Sequence, residues 1–425
     1  MSWILFRARN PLTSATARAY LTGMNSLRIP RSRQWNRRQF LARSAVATGA
    51  VTLGLHAAAD DATRPLRAAI MGCTGRGDYG HGLDVLFNGV PGVQVAGLSD
   101  PTESGREAAA KRAGAPRHYA DYREMLAKEK PQLVSIASRW SEHHHAMGMA
   151  ALQAGAHIYM EKPVTPTLAE ADELIATARK AGLKFAVAHH LRLAPGIVHL
   201  KRRMDEGLIG DLLQIRSWGK QDARAGGEDM MVLGTHLFDL MRLYAGDPVW
   251  CTAQIRHEGH EFTKADARLV KEQIGPVGGT EIEAQFAFAS GAFGTFTSRE
   301  KLRETLANWG MELIGTKGTV SLLMDVFPHA FLHEPAKWNA GGATARRAPL
   351  KDDPSLNLTA EQRGPGQSNR RVVDDWLEAI RTNREPVCSG ENAMRALEMV
   401  MAVYHAGLAG NRASFPLPSR SHPLK

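Results

Sequence analysis

Cysteine is scarce in this chain of 425 residues, which carries only three, Cys73, Cys251 and Cys388. Three scattered cysteines do not make the disulfide framework that stabilises small secreted proteins. No apolar run approaches the roughly 20 residues that a membrane-spanning helix needs, and no internal repeat is visible. These absences exclude disulfide-rich scaffolds, membrane spans and solenoids, and they predict a soluble mature protein. The length of the chain predicts about two domains.

Acidic residues are absent from positions 1–59, which hold nine arginines. The rest of the chain has 44 basic against 43 acidic residues, so the net charge of +10 belongs to the leader and does not indicate nucleic-acid binding. Arg37-Arg38 and Phe40-Leu41 precede a short apolar stretch and Ala57-Ala58-Ala59. This order is typical of a twin-arginine (Tat) signal peptide, although a membrane anchor or a disordered basic arm are alternatives. We therefore expect the Tat machinery to export the protein to the periplasm, with no stable membrane anchor.

Strand-like and helix-like segments alternate from Leu66 to Ala188, including a helical pattern at Leu83 to Leu86. Such alternation predicts a doubly wound parallel sheet of the Rossmann type. From Leu212 to Ile314 strand-like runs follow closely, which predicts an α+β domain on a large, mostly antiparallel open sheet. The expected divisions are a leader (1–59), a Rossmann domain (60–186), a substrate and oligomerisation domain (187–369) and C-terminal helices packing back on the core (370–425). Residues 334–369 are expected to be a surface excursion, either a solvated insertion or a lid.

A glycine-rich turn follows the first strand and is the expected dinucleotide-binding segment. Two registers are open, one beginning at Gly72 with Thr74 in place of the middle glycine, the other a literal GxGxxG beginning at Gly75. Asp100 ends the second strand, where a carboxylate can accept hydrogen bonds from the adenosine ribose and repel a 2′-phosphate, which favours NAD over NADP. As an alternative, Asp100 caps the following helix.

Several motifs in order resemble the Gfo/Idh/MocA oxidoreductase family over roughly residues 66 to 417. They are the glycine turn, Ile136-Ala137 followed by His144, Ala151 to Gly155, Glu161-Lys162-Pro163, Arg192 with Pro195, Gly207 to Gly210, and Gly234 to Asp239. The resemblance implies that Lys162 lies between nicotinamide and substrate, and that His236 accepts the hydroxyl proton. Asp239 completes the expected catalytic set. The family usually has an aspartate four residues before the histidine, but this chain has Val232, so Asp229 or Glu228 would have to compensate.

The family pattern also assigns binding roles. The expected cofactor-binding residues are Gly72, Thr74, Gly75, Arg76, Gly77, Asp100, Ser138, His144, Glu161 and Lys162. The expected substrate-binding residues are Lys162, His190, Arg192, Asp229 and His236. No metal site is expected, because the adjacent His143, His144 and His145 cannot converge on one ion from a regular helix.

The implied reaction is hydride transfer between a secondary alcohol of a sugar or cyclitol and a tightly bound NAD(P). A redox-neutral NAD-dependent glycosidase is the first alternative, and a non-catalytic sugar-binding protein on the same fold is the second. The resemblance also implies a homo-oligomer, a dimer or tetramer formed through the open sheet.

Overall fold

Parallel strands build the first sheet of the computed structural model, which describes residues 64–302, 309–324, 328–334, 346–349, 359 and 367–425. Its strands are β1 (Leu66–Met71), β2 (Val93–Ser99), β3 (His118–Tyr119), β4 (Leu133–Ile136), β5 (His157–Met160) and β6 (Phe185–Val187). They lie in the order β3-β2-β1-β4-β5-β6. The order reverses between β1 and β4, and sheets of this kind bind ligands at the carboxyl edge of that switch point. The predicted Rossmann sheet is confirmed.

Helices connect most of these strands. They are α1 (Glu103–Ala113), α2 (Tyr122–Glu129), α3 (His144–Gln153) and α4 (Leu168–Ala181). Helix α4 illustrates why the sequence forms them: the Thr167 hydroxyl caps its start by accepting the amide of Glu170 at 3.3 Å. Gly182 ends the helix with φ of 68°, a left-handed conformation that glycine adopts without strain. Because both terminal signals are local, the sequence predicts this helix with its observed bounds.

The fully described connection between β1 and β2 contains no regular helix, unlike the other connections of this sheet. The prediction of a helix at Leu83 to Leu86 is therefore wrong. Residues 75–89 form a succession of turns. Positive φ angles occur at Gly75, Gly77, Gly80 and Gly82 and also at Asp78. A right-handed helix requires negative φ at every residue, so the glycines override the apolar periodicity of this segment.

The second sheet is mostly antiparallel, as predicted. Its strands are β7 (Leu212–Trp218), β8 (Pro248–His257), β9 (His260–Glu261), β10 (Glu281–Phe288), β11 (Phe293–Arg299), β12 (Trp309–Gly315), β13 (Thr319–Met324), β14 (Pro328–Glu334), β15 (Arg346–Pro349) and β16 (Ala413–Ser414). They follow the order β15-β14-β13-β12-β7-β11-β10-β8-β16, with β9 paired to β8. Only β7 and β11 pair in parallel among these described strands.

Four more helices pack around the two sheets. They are α5 (Pro195–Asp205), α6 (Thr235–Ala245), α7 (Ser368–Thr382) and α8 (Gly390–Ala409). Helix α7 returns to the first sheet, where the fully buried Trp376 packs with Tyr159 and donates its indole N–H to the Lys184 carbonyl at 3.2 Å. Helix α6 continues directly from a π-helical segment, Met230–Gly234.

Two predicted features fall outside the described residues. The leader lies there entirely, and so does most of the excursion at 334–369, apart from β15, which pairs with β14. In the described part of the chain, every helix is too short or too polar to cross a membrane.

Candidate active site

The glycine turn follows β1 and is held against β2 and β4 by close packing. A side chain at Gly72 would collide with the Tyr79 ring, and one at Gly77 would meet the Trp140 amide nitrogen at 2.5 Å. Ser138 donates its hydroxyl to the Arg76 carbonyl at 2.9 Å, which fixes the turn to the end of β4. Both glycines are therefore required by neighbouring groups, and the two registers share one rigid turn.

Asp100 is completely buried beneath this turn. Its Oδ2 accepts hydrogen bonds from the Thr74 amide at 2.9 Å, the Thr74 hydroxyl at 2.7 Å and the Tyr79 hydroxyl at 2.7 Å. Its Oδ1 accepts the amide of Thr102 at 2.8 Å. The carboxylate thus joins the turn to the start of α1, and a contact with ribose would have to compete with these donors.

His144 is fully buried behind the same turn. One ring nitrogen lies 2.7 Å from the Ser138 carbonyl, and the other lies 3.0 Å from the Val164 carbonyl. The ring therefore connects the segment after β4 to the segment after β5. Its two neighbours point elsewhere: His145 pairs with Glu173, and His143 stacks with Trp140. The described residues contain no cluster of histidine, cysteine and carboxylate side chains suited to a metal ion.

Glu161 ends β5 as a fully buried carboxylate. Burial alone would raise its pKa, but the hydrogen bond with His81 and the nearby Lys162 charge lower that pKa to about 2. The His81 Nδ1 lies 3.2 Å from both carboxylate oxygens. Glu161 is consequently an anion at neutral pH that holds His81 at the mouth of the site.

Lys162 follows directly, and its peptide bond to Pro163 is cis. Its ammonium group is buried and donates to the Val232 carbonyl at 3.2 Å. Burial lowers the pKa of this lysine, and the negative charges of Glu161 and Glu272 only partly oppose that effect. Position 232, where the family usually has a carboxylate, therefore still contacts Lys162, but through the backbone.

His236 lies in the first turn of α6, close to two other imidazoles. Its ring centroid is 5.2 Å from that of His189 and 5.3 Å from that of His190. Burial, followed by the positive charge of Lys162, lowers the pKa of His236 well below its ordinary value. Its Nδ1 has no hydrogen-bond partner among the described residues. The imidazole is therefore neutral and retains an unused polar atom inside the protein.

Asp229 does not replace the missing partner of His236. Its Oδ2 instead accepts the Lys220 amide and the Ser298 hydroxyl, each at 3.0 Å. Burial raises the pKa of Asp229 to about 6, although both hydrogen bonds oppose the shift. Glu228, the other candidate, pairs with Arg224 at 2.6 Å.

Arg192 and Asp239, predicted to bind substrate and to act in catalysis, form a buried pair with each other. The Arg192 Nε lies 2.9 Å from Oδ2 of Asp239, and its terminal nitrogen lies 2.8 Å from Oδ1. This two-point geometry is the strong form of the interaction. It ties the end of β6 to α6 and uses both carboxylate oxygens.

Two cavities meet at Lys162. The histidine cavity, of about 140 Å³, is lined by His81, Glu161, Lys162, Ala188, His190, Leu191, Leu233, His236, Trp309 and Asn369. The charged cavity, of about 160 Å³, is lined by His81, Arg139, Lys162, Lys220, Asp222, Arg224, Asp229, Val232, Leu233 and Glu272. The structure thus brings Lys162, His190 and His236 together on one side and Lys162 and Asp229 on the other.

Sequence reasoning missed several residues at this site, among them His81, Arg139, Arg224, Glu272, Trp309 and Asn369. His81 follows the glycine turn, so a polar residue just beyond that turn is a usable signal. Glu272 and Asn369 reach the site from distant parts of the chain, and no local pattern marks them.

The sheet order, the glycine turn and a buried lysine at the carboxyl edge define a Rossmann-type oxidoreductase with a second, α+β domain. The chain belongs to the Gfo/Idh/MocA oxidoreductase family: its NAD-binding Rossmann domain profile matches residues 66–189, and its C-terminal alpha/beta domain profile matches residues 201–411. Motifs and profiles therefore agree, and the predicted family is confirmed.

Curated relatives and solved structures point the same way. D-apiose dehydrogenase from Paraburkholderia graminis is 24% identical over 81% of this chain and 88% of its own. D-glucoside 3-dehydrogenase from Escherichia coli is 23% identical over 82% of this chain and 97% of its own. The solved levoglucosan dehydrogenase, in complex with NADH and levoglucosan, has a TM-score of 0.66 at 20% identity and covers 83% of this chain and 100% of its own. At this level of identity the solved structure supports the fold.

Proposed function

We propose that the protein transfers hydride between a secondary alcohol of a sugar or cyclitol and a tightly bound nicotinamide dinucleotide. The observation that carries this proposal is the buried Lys162 ammonium, which borders both cavities at the carboxyl edge of the first sheet. The sugar dehydrogenases among the curated relatives support the substrate class.

The residues present fit a dinucleotide. A third cavity, which we call the turn cavity, has a volume of about 510 Å³ and lies over Gly75 and Gly77. Binding sites for small molecules and cofactors usually have volumes of about 300–1,000 Å³, so the turn cavity is in the usual range. Arg139, Arg224 and Lys271 line it together with Asp78, Glu228 and Glu272, so cationic groups suited to phosphate are available among paired charges. When bound, the nicotinamide would supply the hydride acceptor and donor.

The protein's own groups would then handle the proton. The lowered pKa of Lys162 favours its neutral amine, and in that form Nζ can accept a hydroxyl proton as a general base and return it from the ammonium form as a general acid. His236 is neutral and lines the histidine cavity with His190, where both rings can hydrogen-bond to a sugar. Since its Nδ1 has no partner, we assign His236 to orienting the substrate or sharing its proton.

The leader motivates the second part of the proposal, export through the Tat pathway with the cofactor already bound. A Tat substrate folds before export, so a retained nucleotide would have to be regenerated within the enzyme's own cycle. A homo-oligomer formed through the second sheet is also proposed. Phe293, on that sheet, is 41% exposed and its ring centroid lies 6.0 Å from that of Trp250. Light scattering on the purified protein measures the oligomeric state.

The function is tested on full-length protein purified without added cofactor. Denaturation releases any nucleotide for identification, and the native protein is followed at the reduced-nicotinamide absorbance band while sugars and glycosides are offered. A retained or added nucleotide that is reduced by free sugars is the expected result. Hydrolysis of glycosides without net redox change would replace the proposal by the glycosidase, and a protein that binds no dinucleotide would leave only the sugar-binding alternative.

A further inference from the structure

Four backbone amides of the glycine turn, at Thr74, Gly75, Arg76 and Asp78, already donate to protein groups. The amides of Arg76 and Asp78 both donate to the Cys73 carbonyl, at 3.0 and 2.9 Å. The amide of Gly75 donates to the Asp78 side chain at 2.9 Å, and the amide of Thr74 donates to Asp100.

A helix start is also missing from this place. In Rossmann proteins the first helix begins at the turn and directs its positive end toward the phosphates. Within the described range 64–302, residues 75–89 form turns instead. A pyrophosphate at this turn therefore needs another source of positive charge and hydrogen-bond donors.

Two arginines from different domains supply such donors in the turn cavity. Arg139 follows β4 in the first domain, and Arg224 lies between β7 and α6 in the second. Both line the cavity over Gly75 and Gly77. Guanidinium groups are well suited to phosphate oxygens, because their N–H donors lie in one plane and can bind two oxygens at once.

Glu272 brings the two guanidinium groups together. Its Oε1 lies 3.4 Å from a terminal nitrogen of Arg139 and 3.3 Å from a terminal nitrogen of Arg224. The segment that carries it is anchored by the buried Val270 and Ile274 on either side. One carboxylate oxygen thus holds a single terminal nitrogen of each arginine. The Nε of Arg224 donates to Glu228 at 2.6 Å, so its second terminal nitrogen, together with the Nε and second terminal nitrogen of Arg139, is available for a phosphate.

We propose that Arg139 and Arg224 bind the pyrophosphate of the dinucleotide in place of a helix start. This inference rests on the proposed function only in taking the cofactor to be a dinucleotide. Because Arg224 belongs to the second domain, cofactor binding joins the two domains across the turn cavity. Affinity therefore depends on side-chain charge and falls with salt concentration.

The test measures the binding of ADP-ribose, NAD and adenosine to cofactor-stripped protein by calorimetry. Arg224→Gln and, separately, Arg139→Gln are each expected to lower the affinity for ADP-ribose and for NAD by about tenfold to a hundredfold, which is the effect of losing one charged hydrogen bond. Adenosine, which has no phosphate, should bind as it does to the wild type. The dependence of affinity on salt concentration should also decrease in both variants.

Arg299→Gln is the matched control, since Arg299 forms an exposed 3.3 Å pair with Glu281 away from the cavity. It should leave all three affinities unchanged. Arginine variants that fold and bind ADP-ribose like the wild type would overturn the inference while the proposed function stands. If the arginine variants bind ADP-ribose weakly and the wild type oxidises no sugar, the inference is supported and the proposed function is overturned. A wild type that binds neither ADP-ribose nor NAD would overturn both.

Discussion

Two buried carboxylates, Asp100 and Asp239, and two buried groups that line the histidine cavity, Lys162 and His236, use their hydrogen-bonding capacity in opposite ways. Asp100 accepts four hydrogen bonds from protein groups, and Asp239 is paired with Arg192 through both oxygens. By contrast, the Lys162 ammonium has one backbone carbonyl as hydrogen-bond partner, and the Nδ1 of His236 has none in the described part of the chain.

Unsatisfied polar groups inside a protein are costly, at about 1–3 kcal/mol each. Their retention beside a cavity indicates that a ligand completes them, whereas a satisfied carboxylate indicates a structural element. The comparison thus separates residues that hold the site from residues that act in it, and it predicts opposite consequences of mutation.

Lys162→Met should produce the largest change. We expect the rate of hydride transfer in a single turnover to fall by about 10²–10⁴-fold, the usual contribution of a general acid or base. The free energy of unfolding should stay the same or rise, because a buried charge is replaced by an apolar side chain. Lys180→Met, on the exposed face of α4, is the control for both measurements. A large loss of stability would place Lys162 among the structural residues and break the comparison.

Asp239→Ala should mainly lower the stability of the fold, in contrast to Lys162→Met, which should mainly lower the rate. Removing one partner of a buried pair leaves Arg192 uncompensated, which costs about 3–5 kcal/mol in the free energy of unfolding. Urea titration measures this loss. Replacing both residues, as in Arg192→Met with Asp239→Leu, should recover most of it. A stable Asp239→Ala protein with a much reduced turnover would instead assign Asp239 to catalysis.

Asp229 offers a test through pH. Its pKa is raised to about 6 in the folded protein from an ordinary value of 3.8, so it stabilises the fold below pH 3.8 and that contribution is lost as pH rises through 6. Asp229→Asn should remove this dependence. The free energy of unfolding of the variant should therefore rise relative to that of the wild type as the pH increases from 3.8 to 6. A flat difference for Asp229→Asn would contradict the assigned environment.

Val232→Asp should produce the smallest change and would sharpen the account of His236. A carboxylate at this position could accept a hydrogen bond from the imidazole and would raise the pKa of His236. The pH at which single-turnover hydride transfer reaches half its maximum should then move upward. An unchanged profile would mean that His236 does not participate in the proton transfer that limits the reaction.

Much of the fold could be predicted from the sequence, since its signals are local. Helix α4 has a threonine cap and a terminal glycine, and the strands at Leu66 and His157 are short apolar runs. The failure lies between β1 and β2, where the apolar residues from Leu83 to Leu86 have a helical spacing. Backbone angles of the surrounding glycines decide that segment, and they depend on contacts with Ser138, Trp140 and Tyr79.

The site could be predicted only in part, for a related reason. Lys162 and His236 lie in recognisable motifs, but what each side chain contacts is a long-range property. Arg139 and Glu272 are 133 positions apart, and Arg192 and Asp239 are 47 apart. No sequence pattern indicates that Asp239 is paired with Arg192, or that Asp229 hydrogen-bonds to Ser298. Whether a polar residue is satisfied or free, on which the comparison depends, emerges only in the folded chain.

The most direct test of the central claim is a single-turnover isotope experiment on protein loaded with oxidised dinucleotide. A sugar that is oxidised in the steady state is compared with the same sugar carrying deuterium on its carbinol carbons, and formation of the reduced cofactor is followed. The account predicts slower reduction with the deuterated sugar, because a carbon–hydrogen bond breaks in the step next to Lys162. Equal rates at every pH, or a cofactor that is never reduced by any sugar, would contradict it.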